Sequence, residues 1–157
     1  MKRFKYLYFT NVLDKPYFNF WFLKKLKGGE EDDGNLLTQP IDHEEGGVKW
    51  VWNGMTATSS GVASTAALVM TDTLPLKETI KQGESYTFSI GKAITKNIRL
   101  YLVNDDGNKI SNMISSGSTE RVFQVQFDAT KYYLQYAGVK NVENNVTIED
   151  IKLVKES

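Results

Sequence analysis

Between Arg121 and Lys155 the chain reads RVFQVQFDATKYYLQYAGVKNVENNVTIEDIKLVK, three apolar runs in strict alternation with polar residues and separated by short turns. Alternation with a period of two is the pattern of a half-buried strand, and it excludes an amphipathic helix over the same residues. Phe123, Val125 and Phe127 share one face, and Val122, Gln124 and Gln126 the other. Tyr132, Leu134 and Tyr136 face one way, with Tyr133 and Gln135 opposite. The last run changes phase, because Val146 and Ile148 are followed by Ile151 and Leu153. A one-residue slip would send every later side chain to the wrong face. The simplest repair is a β-bulge near Glu149-Asp150.

The rest of the chain repeats this texture. Val48, Trp50 and Trp52 share a face and read as core, and residues 66 to 76 hold one or two further strands before Pro75. Tyr86, Phe88 and Ile90 point inward. So do Ile98, Leu100 and Leu102, with Arg99 and Tyr101 outward. Asn104 to Asn108 contains Asp-Gly, which supplies the positive φ of a tight hairpin turn. Ile110 to Ile114 follows, then the closing strands. Eight or so strands and no convincing helix predict an all-β, antiparallel sandwich, with Phe88, Leu100, Phe123, Phe127 and Leu134 buried.

Residues 1–27 differ from the remainder. Nine of the 19 aromatic residues fall between Phe4 and Phe22. Phe4, Tyr6 and Tyr8 alternate with other residues, as do Phe18, Phe20 and Phe22 around Trp21, and Asp14-Lys15-Pro16 breaks the two runs. This reads as a β-hairpin arm. An isolated hairpin is marginal in water, so its aromatics must cover either their own domain or another subunit or protein. Residues 28–34, a diglycine followed by four acids and a glycine, read as a charged linker, and 35–157 as the sandwich domain.

With 19 basic and 19 acidic residues the chain lacks the cationic surplus of a general nucleic-acid binder. It has no cysteine and one histidine, His43, which excludes disulfides, thiolate chemistry and a histidine-based metal cluster. No apolar run reaches the roughly 20 residues of a membrane span. The start of the chain is basic and then apolar, but Asn11, Asp14 and Pro16 interrupt it early, so synthesis in a cytoplasm without a signal peptide is expected. No phosphate-binding loop or nucleophile elbow is present. His43, between Asp42 and Glu44, reads as plain surface, and adjacent carboxylates point apart in an extended chain. A non-enzymatic protein is expected.

Several segments resemble the jelly-roll carbohydrate-binding-module fold, in the form appended to phage tail and baseplate proteins. The matching residues are Asn35-Leu36-Leu37 at the start, Tyr86-Thr87-Phe88-Ser89 within, and Val146, Ile148, Glu149, Asp150, Ile151, Lys152 and Leu153 at the end. The resemblance covers about residues 35 to 155. It implies an antiparallel jelly-roll β-sandwich and a sugar site built from aromatic and polar side chains on one sheet face. By strand parity the matching set is Arg99, Tyr101, Gln124, Gln126, Tyr133 and Gln135, which otherwise form an ordinary solvated face or one covered by the arm. The family also implies a structural calcium, here at Asp42 or Glu44 with Glu149 or Asp150. Glu149 stands where the family often has Asp, and a salt bridge or solvent contact is the alternative. No other cofactor is implied.

The expected function is therefore a bacteriophage virion structural protein, in a tail, baseplate or capsid-surface location. It would dock on other virion proteins or on itself through the arm residues Phe4, Tyr6, Tyr8, Phe18, Phe20, Trp21 and Phe22. It would also display a module for a host surface glycan. The alternative is a free bacterial carbohydrate-binding module acting on a polysaccharide.

Overall fold

A computed structural model describes residues 33–157, so the arm over 1–27 and most of the linker over 28–34 lie outside the described residues. Gly34–Ser157 forms one compact unit. The described residues form twelve strands and no helix. They are β1 (His43–Glu45), β2 (Val48–Asn53), β3 (Thr56–Gly61), β4 (Ala67–Val69), β5 (Leu74–Ile80), β6 (Ser85–Ser89), β7 (Ile98–Val103), β8 (Lys109–Ile114), β9 (Glu120–Gln124), β10 (Ala129–Ala137), β11 (Thr147–Ile148) and β12 (Lys152–Lys155). Every ladder is antiparallel. The fold is an all-β sandwich.

One sheet has the order β1-β2-β3-β11 and another β12-β6-β9. In the third, β10 is central: β7 and then β8 lie on one side, and β4 and β5 share the other. The opening residues stitch two of these sheets together. The Leu36 N–H donates to the Leu153 carbonyl at 2.8 Å, the Lys77 N–H donates to the Leu36 carbonyl at 2.9 Å, and Leu37 bridges to Leu76. Strands can thus be followed continuously from β8 through β7, β10, β5, residues 36–37, β12 and β6 to β9. Among the described residues no ladder joins β8 to β9, and the wall stays open at that seam.

Alternation decides what is buried. Val48, Trp50 and Trp52 point inward from β2, and Tyr86 and Phe88 from β6. Ile98, Leu100 and Leu102 do so from β7, and Tyr132, Leu134 and Tyr136 from β10. The Trp50 and Tyr136 rings meet edge to face at 5.6 Å, and the Trp52 indole donates to the Met70 carbonyl at 3.1 Å. Tyr132 OH, at the end of a buried ring, donates to the Thr38 carbonyl. Burial is the first cause that pushes the phenols of Tyr86 and Tyr132 up to about 12 and raises that of Tyr136.

The Asn104–Asn108 turn forms as expected. Gly107 has φ 79°, and the Asn104 side chain accepts from the Asn108 N–H at 2.9 Å. Two expectations need correction. Phe123 and Phe127 face inward but are only half-buried, whereas Val125 between them is fully buried. Phe123 lies on β9, at the seam, where no strand pairs with β9 on the β8 side. The phase break near Glu149-Asp150 is also not a bulge within one strand. β11 pairs with β3 and β12 with β6, so the chain changes sheets at a corner. Asp150 takes φ 49°, the Glu149 carbonyl accepts from the Gly91 N–H at 2.7 Å, and Ile148, Ile151 and Leu153 are all buried. A Cβ on Gly91 would stand 3.0 Å from the Asp150 carboxylate, which explains the glycine at this approach.

Candidate functional site

The outward face of the β10–β7–β8 sheet gathers four of the six residues expected to face a sugar. Register places Tyr133 beside Tyr101 and Tyr101 beside Ser111, and in the next row Val69, Gln135, Arg99 and Met113 in turn. Cross-strand partners share a face, so parity alone brings these side chains together. The Tyr101 and Tyr133 rings stack with centroids 4.6 Å apart and planes inclined by 10°. Tyr101 OH donates to Gln135 Oε1 at 3.3 Å. Lys109, which sequence reading passed over, donates from Nζ to Tyr133 OH at 3.3 Å and lies 5.4 Å and 5.9 Å from the two ring centroids. These distances are within cation–π range. Among the described residues the Arg99 guanidinium has no ion pair or hydrogen bond.

Gln124 and Gln126 do not join this platform. They lie on and just after β9, which pairs with β6 and is separated from β8 by the seam. Their amides are turned locally, Gln124 to the Gly83 carbonyl at 2.8 Å and Gln126 to the Gln124 carbonyl at 3.3 Å. Parity indicates which face a residue takes within its own sheet; it does not indicate which sheets are contiguous.

Beside the platform is a hollow of about 340 Å³ lined by His43, Glu45, Val69, Thr71, Asp72, Thr73, Tyr133 and Gln135. Here His43 departs from the plain surface residue expected. Its side chain is 16% exposed, with Nδ1 3.2 Å from Asp72 and Nε2 3.7 Å from Glu45. Sequence reading could pair His43 only with its neighbours in the chain, and Asp72 arrives through the sheet. The hollow sets carboxylates, hydroxyls and an amide against the edge of the aromatic pair. Such a set can take ring hydroxyls while a tyrosine face takes the C–H side of a pyranose.

The four carboxylates matched to a calcium site are not brought together. β1 and β11 are opposite edges of their sheet, with β2 and β3 between them, which sets Asp42 and Glu44 roughly 14 Å from the Glu149-Asp150 corner at the usual strand spacing. The Asp42 carboxylate accepts from the Trp52 N–H at 3.0 Å, and Glu44 stands opposite Lys49. Among the described residues no group of three or more histidines and acids is arranged to hold a metal ion. The first and last segments are instead joined by the buried Asn35 amide. It donates to the Ile151 carbonyl at 3.0 Å and accepts from the N–H groups of Leu153 at 3.0 Å and Leu37 at 3.1 Å.

No protein-family model and no curated protein matches the chain. Among solved structures it is similar to the enzymatically active domain of tailspike protein 4 of bacteriophage CBA120, at 16% identity and a TM-score of 0.43. The alignment covers 80% of this chain and 20% of that one, so the chain spans about a fifth of that structure's length.

Proposed function

We propose that the protein is a non-catalytic virion component of a bacteriophage that displays a carbohydrate-binding face for host attachment. The observation that carries the glycan reading is the Tyr101–Tyr133 stack, with Arg99, Gln135 and Lys109 around it and the carboxylate-bearing hollow beside it. Stacking on each other leaves each ring one further face, and the pair is held in place before any ligand arrives. A rigid aromatic platform loses little entropy on binding. The virion setting rests on the resemblance of Asn35-Leu36-Leu37, Tyr86–Ser89 and Val146–Leu153 to modules of phage tail and baseplate proteins. Residues 1–27, rich in alternating aromatics, are proposed to dock on a neighbouring virion protein or a second copy by strand pairing.

A glycan array probed with the full chain tests the binding role. Retention on a restricted set of glycans, lost in a Tyr101→Ala/Tyr133→Ala variant that still melts cooperatively, is the expected outcome. Retention unchanged in that variant would move the site elsewhere, and no retention on any glycan would leave a purely structural role.

A further inference from the structure

The open seam is a second site, distinct from the tyrosine platform. Parity along both bordering strands brings polar groups to the core side of the wall. Asn112 on β8 stands opposite the buried Leu100, and Arg121 on β9 stands opposite the buried Phe88. Most inward positions elsewhere on these sheets are apolar, although Lys155 on β12 stands opposite the buried Tyr86 in the same way. Asn112 is 8% exposed and its Nδ2 has no hydrogen-bond partner. An orphaned buried donor costs about 1–3 kcal/mol, so a native fold that keeps one calls for an explanation. Arg121 is exposed, and its guanidinium has no ion pair or hydrogen bond among the described residues.

Both residues line one cleft of about 350 Å³, together with Ser111, Ser115, Met113, Val122 and Phe123. No acid lines it. Its one charged group is the Arg121 guanidinium, beside two hydroxyls, with the buried Asn112 amide at its border. Its apolar side is the half-buried Phe123, whose ring lies against Tyr86 with centroids 6.2 Å apart, and the exposed Val122. The volume falls within the range of small-ligand pockets. A guanidinium pairs with a carboxylate, and an aromatic ring at half exposure accepts the C–H face of a sugar ring.

We infer that the β8–β9 seam binds an acidic sugar, its carboxylate on Arg121 beside the buried Asn112 amide and its ring against Phe123. This does not depend on the platform. The test is an NMR titration of the ¹⁵N-labelled full chain with sodium D-glucuronate, D-glucose or N-acetylphenylalanine, the last a carboxylate without a sugar ring. The Asn112 side-chain amide signals should shift and saturate with glucuronate at lower concentration than with either other probe. Arg121→Gln should weaken glucuronate binding at least about tenfold, the scale of one charge-assisted contact. Arg121→Lys should restore part of the loss, and Tyr101→Ala/Tyr133→Ala should leave the affinity unchanged. Unmoved Asn112 signals, equal or better binding of glucose or N-acetylphenylalanine, or an Arg121→Gln affinity within twofold of the parent would each overturn the inference.

Discussion

Asn35 shows how one side chain can hold two ends of a domain. Its amide satisfies backbone groups of Leu37, Ile151 and Leu153 where no strand neighbour does so. Asn35→Ala orphans these groups in a buried site and should destabilise the fold by about 2–4 kcal/mol, read from a denaturant melt. The tyrosines give a second residue-scale outcome. Tyr86 and Tyr132, held up to about 12 chiefly by burial, should ionise well above the ordinary phenol value near 10 in an ultraviolet titration. A folded pKa above the unfolded value near 10 stabilises fully below that value, so stability should fall as pH rises from about 10 towards 12. The opposite sign applies at Glu84 and Asp128. Glu84 is lowered first by its bond to Lys155 and then by Tyr86, and Asp128 first by the Gln82 N–H and then by Lys81. Their contribution is present above the ordinary carboxylate range and is lost as pH falls below it.

At the scale of elements, β9 separates what parity reveals from what it leaves open. The inward direction of Phe123 and Phe127 was legible in RVFQVQF, but the depth of Phe123 was not, because depth depends on the neighbouring strand and β9 has none on the β8 side. Phe88→Ala, in the full core, should cost about 3–5 kcal/mol. Phe123→Ala, half-buried at the seam, should cost about 1–2 kcal/mol, and equal losses in chemical melts would mean that the seam is closed in solution. The corner at Asp150 has the same origin. The slip in apolar phase was visible, but a bulge and a change of sheet give the same sequence pattern. Only the partners, β3 for β11 and β6 for β12, distinguish them. Arg99, Tyr101, Tyr133 and Gln135 could be foreseen because two adjacent hydrogen-bonded strands, β7 and β10, carry them. Lys109 reaches the rings along a long side chain, and His43 meets Asp72 across elements, so neither contact leaves a local signature.

For the whole molecule, the proposed function assigns display to the folded domain and assembly to residues 1–27. Removing residues 1–27 should leave a cooperative melt for the remainder and abolish association with virion partners, as followed by calorimetry and sedimentation. Loss of the melt would make those residues part of the domain's own core. The central claim is that the tyrosine platform binds a glycan, and calorimetric titration of the full chain with host cell-surface polysaccharide tests it most directly. Saturable binding is predicted, weakened at least about tenfold in Tyr101→Ala/Tyr133→Ala while that variant still melts cooperatively. Binding of equal strength in parent and variant, or none in either, would contradict it.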